Sequence, residues 1–310
     1  METDSGVIER PPLAIQLHSS TRKEHASLNQ SIIARLPLCL PPYTDSPLLY
    51  AAGITVFANI YYAIEQAWTD LVKRENMQGR QHSLLLQLYT QNLFRTARLR
   101  SDLGLIVSRL DATTQHQLQT LEDASFHFQT RILERIRRKP HIVLAWAWAM
   151  YLALFNGGRW MRQQFTNAGP DFWCSRERTI DCLSLWQFDG TQDGEDIKDT
   201  FKQNFQRAAS LLTDDEQADV VAEGKVVFDT CLELVHFLDA TVASMADSPP
   251  LSSQTATAAP SSSQVEPWML MVWFHAFSLL SQFWQAIRRI CLSLSVATKP
   301  NVVGKEGRAD

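Results

Sequence analysis

Glycine is scarce in this chain, at 12 of 310 residues, about half the share of an average soluble protein. Apolar residues recur at helical spacing almost throughout, so the sequence reads as all-α. An excess of basic residues is also missing. Lys and Arg number 29 against 33 Asp and Glu, a net charge of −4, and nothing supplies the basic stripe that phosphates require, which excludes a nucleic-acid binder. Cysteines are few and odd in number, five in all. Their scattered positions (Cys39, Cys174, Cys182, Cys231 and Cys291) do not form a disulfide framework, and a reducing compartment is the simpler reading. Cys174 and Cys182 are the nearest pair, but no second pair or histidine doublet completes a zinc site, so they read as free thiols. The opening residues are polar and acidic with no apolar stretch, so no secretory signal peptide is expected. No internal repeat of helical-hairpin length is visible.

Hydrophobic residues make up 45 % of the chain and charged residues 20 %, enough for one substantial core or a core with an appendage. A polar head (1–10) precedes one helical domain (11–243). The first strong helix opens at Thr21-Arg-Lys-Glu24, a capping-box pattern in which Thr21 and Glu24 would satisfy each other's amides, and it stops before Pro37. Helices follow at about 47–75, 81–100 and 112–138. A very apolar one, with Pro140 at its first position, spans about 140–166. An irregular stretch (167–194) leads to helices at about 195–211 and 214–243, the last opening with a second capping box, Thr213-Asp-Asp-Glu216. Residues 244–264, rich in Ser and Pro, read as a flexible linker. A hydrophobic segment (265–298) and a polar tail (299–310) close the chain. Residues 268–287 are about as long as a minimal bilayer-crossing helix. Trp268, Trp273 and Trp284 suit a membrane interface, whereas His275, Gln282 and Gln285 are costly in hydrocarbon. Spanning, interfacial and folded-back arrangements all stay open.

Three features carry possible chemistry. His25 shares a helix face with Leu28, Ile32 and Leu36. A core histidine is the ordinary reading of such a residue, and a neutral imidazole aimed at a metal is the functional one. Asn29, one turn on, is placed to accept the ring N–H. Gly157 and Gly158 lie inside a strongly apolar helix, where each costs on the order of 1 kcal/mol relative to alanine. They serve close helix packing, or they let backbone approach something flat. Lys202, in Phe201-Lys-Gln-Asn-Phe205, is either a solvated surface charge or a cation at a pocket mouth, suited to a carboxylate. Glu233 and His236 form one Glu-x-x-His pair, but a di-iron site needs two.

Taken in order, these blocks resemble the heme oxygenase family, fungal-type branch. Thr21-Arg-Lys-Glu-His25 with Asn29 is similar to its proximal helix. Ile60-Tyr61-Tyr-Ala-Ile-Glu65 resembles the aromatic, Glu-ending segment of the next helix. Tyr151-Leu-Ala-Leu-Phe-Asn-Gly-Gly158 resembles the distal helix, Lys202 falls at the base for a heme propionate, and Phe228 at a distal-wall aromatic. The resemblance implies an all-α domain with heme sandwiched between proximal and distal helices. It implies His25 as metal ligand, Gly157, Gly158 and Tyr61 as catalytic, and Lys202, Trp148, Tyr151, Leu154, Phe228 and Asn29 as cofactor-binding. Where much of the family carries a distal aspartate that organises water, this chain has Leu154, with Ala153 before it. Trp148 replaces a propionate-touching tyrosine, and Gln206 a second basic residue.

The implied activity is oxidative cleavage of heme, which is substrate and cofactor at once. The reaction uses O2 and NADPH electrons from a cytochrome P450 reductase-type donor, and it gives biliverdin, CO and ferrous iron. The resemblance also implies a cytosol-facing location at the endoplasmic reticulum membrane, held by the C-terminal segment. Two other readings stand beside it: a heme-binding protein that does not cleave the ring (a sink, sensor or weak peroxidase), and a membrane-attached scaffold with an inactive pocket.

Overall fold

The structure, a computed structural model, describes residues 10–74, 79–175 and 180–246. The hydrophobic segment, the polar tail and all of the linker beyond residue 246 lie outside the described residues. Among those residues every regular element is a helix. In chain order they are α1 (Leu13–Ser20), α2 (Arg22–Arg35), α3 (Leu48–Val72), α4 (Arg80–Leu88), α5 (Thr96–Val107) and α6 (Ala112–Arg138). After these come α7 (Val143–Ala153), α8 (Arg159–Asn167), α9 (Gly169–Phe172), α10 (Glu195–Ala209) and α11 (Asp214–Ala246).

The centre of the domain is α3. Ala51, Ala52, Ala58, Ala63 and Ala67 on it are all buried, and these small side chains let α6 lie close along its length. It is the one helix among the described residues long and apolar enough to cross a membrane, yet two thirds of its most apolar stretch is buried inside the domain. The long α11 packs against α1, α2, α3 and α7, while α10 packs against α4 and α7. One helix, α11, therefore touches both the helix that bears His25 and the helix that leads to the glycine pair.

Three local expectations need correction. The chain is already helical from Leu13, and Thr21 is a buried joint between α1 and α2, not a cap. Its hydroxyl donates back to the Leu17 carbonyl at 2.7 Å, because α1 is there to accept it. A Cβ on Gly224 of α11 would stand 2.8 Å from Leu17 Cδ2 and 3.1 Å from Thr21 Cγ2, so the joint rests on bare backbone. Next, the helix expected over 81–100 is two helices, with a break at residues 89–95. The amides that begin α5 are satisfied from afar: Arg95 N–H and Thr96 N–H donate to the Glu65 carboxylate at 2.6 and 2.8 Å. Finally, α11 runs on to Ala246, three residues past its expected end.

The second capping box forms as expected. Thr213 N–H donates to Glu216 Oε2 at 2.9 Å, and Glu216 N–H donates to Thr213 Oγ1 at 3.3 Å. The irregular stretch before α10 is held by α5, where Asp102 accepts from Ser184 N–H (3.0 Å), Ser184 Oγ (2.6 Å) and Leu185 N–H (2.7 Å). Cys39, Cys174, Cys182 and Cys231 are free thiols, and no group of His, Cys, Asp and Glu suited to a metal ion occurs among the described residues.

Candidate functional site

His25 sits one turn into α2, which packs on α11. Its ring meets that of Phe228 edge to face, with centroids 5.5 Å apart and planes at 89°. Phe228, expected on the far wall, therefore backs the histidine itself. The imidazole remains open to the surface, yet the protein around it, and secondarily the nearby His18, hold its pKa below the ordinary value. A lowered pKa favours the neutral form of the imidazole, which is the form that can bind a metal. Asn29 is half-buried on the same helix.

The second wall is built from α7, a π-helical turn at Leu154–Gly158 and α8, which follow one another without a break. The π turn answers the glycine pair: a helix that admits one extra residue per turn is most easily made where two positions lack side chains. The two glycines do different work. A Cβ on Gly158 would stand 3.3 Å from the Trp186 ring, so Gly158 is a packing glycine. A Cβ on Gly157 would meet nothing within 4 Å. Leu154 and Phe155 turn inward, 3 % and 1 % exposed, and Phe155 stacks on Phe188 with centroids 4.7 Å apart. Leu154 does not line an open face, because the side chains of this turn that reach the core must be apolar.

The two tyrosines expected at the cofactor, Tyr61 and Tyr151, are both hydrogen-bonded within the fold. Tyr151 is wholly buried and donates its hydroxyl to Glu65 Oε1 at 3.0 Å. Tyr61 is buried as well, and its hydroxyl donates to the Met150 carbonyl at 3.2 Å. Burial pushes both phenols well above their ordinary pKa, so each stays a donor. Glu65, 3 % exposed, thus receives Tyr151 of α7 and both leading amides of α5. Sequence reasoning took Glu65 only as the end of a resemblance block. A lone buried carboxylate in an apolar helix is itself a sign that donors converge there.

Trp148 is half-buried at the edge of the core. Its neighbour Trp146 is fully buried and donates its indole N–H to Glu223 Oε1 at 3.0 Å. Lys202 lies half-buried on α10, with no ion pair to any described residue. Gln206 is exposed one turn further on. Glu233 pairs with Arg131 and is spoken for as a surface ion pair. Two surface hollows, of about 570 and 410 Å³, are lined by α8 residues such as Arg159 and Trp160 and by a group around Tyr62 and Arg100, and neither includes His25.

His25 on α2 and a glycine-bearing π turn following α7, with α2 and α7 both packed on α11, belong to a class: an all-helical domain with the fold of the heme oxygenases. Crystal structures bear this out. Heme oxygenase 2 of Chlamydomonas reinhardtii, solved without heme, superposes with a TM-score of 0.58 at 20 % identity, covering 73 % of this chain and 97 % of that one. Heme oxygenase-1 of the cyanobacterium Synechocystis, in complex with heme, gives 0.54 at 16 % identity, over 76 % and 96 %. At such identities the likeness is one of fold. The heme oxygenase family model matches residues 11–236, and this chain belongs to the heme oxygenase family. A curated relative, the heme-binding protein HMX1 of Saccharomyces cerevisiae, is 24 % identical over 259 residues, 76 % of this chain and 79 % of that protein.

Proposed function

We propose that this protein binds heme through His25 and cleaves it oxidatively, using O2 and electrons passed from NADPH by a reductase, to biliverdin, CO and ferrous iron. The observation that carries the reading is His25: surface-accessible, with a pKa held below the ordinary value, and in T-shaped contact with Phe228. The residues present fit a flat metalloporphyrin. Gly157 leaves open space where a side chain would otherwise stand, and Lys202 has no carboxylate partner among the described residues. Bound heme would supply both the iron and the ring that is opened.

The chain's own contribution is positional. His25 would hold the iron, and Phe228, in edge contact with its ring, would fix the plane of the imidazole. Gly157 would admit a flat ring close to backbone, and Lys202 would take a carboxylate at its rim. Tyr61 and Tyr151 act one step removed, by locking the Met150 carbonyl and Glu65, which sets the position of α7. This reading also places the protein at a membrane, through residues 268–287 and facing the cytosol at the endoplasmic reticulum.

A second reading, heme binding without ring cleavage, is favoured by Leu154. The position that carries an acid in much of the family is apolar and buried here. One experiment separates the readings. The full chain is mixed with hemin, followed by absorption, then given reductase and NADPH, beside His25→Ala. Oxidative cleavage predicts a Soret band that decays to biliverdin absorbance, and a His25→Ala complex whose axial-ligand spectrum is lost. A stable Soret band selects the second reading. A His25→Ala spectrum identical to wild type would sink the assignment of the ligand.

A further inference from the structure

We propose that Asn156 is the residue that donates a hydrogen bond into the space above the heme, in place of the acid that Leu154 does not provide. The inference rests on the heme-binding reading above. It begins from the accessible positions of the distal wall. From Trp148 to Gly157 these are Trp148, Ala149, Leu152, Ala153, Asn156 and Gly157. None is charged. A helix face turned to bulk water ordinarily carries charged residues. The helix α6 does so, with Glu122, Asp123 and Arg131 exposed. An accessible face that is apolar except for one amide suits an apolar ligand with one polar requirement.

The fold itself has no use for this amide. Asparagine is a poor helix former, about 0.7 kcal/mol worse than alanine, unless it caps an end or bonds locally. Asn156 caps nothing, because it lies in the interior of the continuous run from Val143 to Asn167. Its side chain has no hydrogen-bond partner among the described residues. Other asparagines are absorbed by the structure. Asn59 Nδ2 donates to Ser125 Oγ at 3.0 Å and to the Val56 carbonyl at 3.1 Å. Asn204 Nδ2 donates to the Tyr89 carbonyl at 2.9 Å. Asn29, Asn92 and Asn167 likewise show no side-chain hydrogen bond among the described residues, so what marks Asn156 is its place beside Gly157 at the widest turn of the helix. With Leu154 and Phe155 turned inward, it is the one polar side chain the π turn presents. The amide donates through Nδ2 and accepts through Oδ1, so it can hold a water or bond directly to a small ligand of the iron.

The test uses the full chain loaded with hemin, as wild type, Asn156→Ala and Asn156→Leu. Two quantities are read: the dissociation constant of cyanide from the ferric protein, and the C–O stretching frequency of the ferrous carbonyl. Loss of one hydrogen bond, about 0.5–1.5 kcal/mol, predicts cyanide affinity weakened about 2- to 10-fold in both variants, with the C–O stretch moved to higher frequency. Asn156→Leu guards against a trivial loss of packing, and unchanged helical circular dichroism shows that each variant folds. Variants with a wild-type Soret band, wild-type cyanide affinity and an unmoved C–O stretch would overturn the role of Asn156 while leaving heme binding intact. A wild-type chain that forms no Soret band would overturn heme binding, and this inference with it.

Discussion

At the scale of single residues, Glu216 shows how much one carboxylate can settle. It closes the capping box with Thr213, and its carboxylate receives the Arg80 guanidinium from α4, one contact being 2.8 Å. The Arg80 hydrogen bonds, before any other influence, draw its pKa from the ordinary 4.5 down to about 2. Between those two values the unfolded chain binds a proton that the folded chain refuses. The stability this group contributes is therefore complete above pH 4.5 and lost as pH falls towards 2. Thermal midpoints measured across that window should fall in the wild type, and fall less steeply in Glu216→Gln, which starts lower at pH 7. Equal slopes would show that the cap does not govern acid stability. The Thr213 box was legible in sequence because both partners sit three residues apart on one helix. Arg80 was not, because it comes from more than a hundred residues away. Thr21 carries the same motif and does not cap, since the presence of α1 decides where its hydroxyl turns.

Among elements, the joint between α1 and α2 is the part of the scaffold most directly tied to the candidate site. Leu17 and Thr21 rest against Gly224, so the angle at which α2 presents His25 depends on the absence of a side chain on α11. Gly224→Ala places a methyl group into that contact, and overpacking of this kind costs about 1–3 kcal/mol. A urea unfolding midpoint should fall accordingly while helical content is kept. An unchanged midpoint would mean the joint yields freely. Periodicity found α3, α6, α10 and α11 with ends within about three residues, because each buries a continuous apolar stripe. It missed the break between α4 and α5. That break depends on Glu65, thirty residues earlier, which offers its carboxylate to Arg95 and Thr96. Local sequence cannot show where a distant acceptor will wait. The same limit applies to Gly158, whose need for bare backbone is set by Trp186.

For the molecule as a whole, the order of His25, Gly157, Lys202 and Phe228 along the chain was what sequence offered, since each alone has a commonplace structural explanation. The fold brings His25 and Phe228 into contact and opens Gly157, but it turns Tyr151 and Leu154 into the core. Residues 10–246 hold a continuous apolar core and should fold as an isolated fragment that takes up hemin with the Soret maximum of the full chain. The full chain should in addition sediment with membranes after carbonate washing, and the fragment should stay in the supernatant. A full chain released by carbonate would rule out a spanning C-terminal segment.

The π turn has one more consequence. It adds about one residue to a turn, and one residue is worth about 100° of rotation. The helix before it is clocked so that Trp146 meets Glu223. The helix after it is clocked so that Arg162 clasps Asp193 at 2.6 and 2.8 Å. The two halves are like gears meshed with different wheels, and the extra residue is the offset between them. Loss of a single codon anywhere in 154–158 would leave the reading frame intact but throw one half out of mesh. Most substitutions on this wall are thus survivable in principle, whereas its length is fixed.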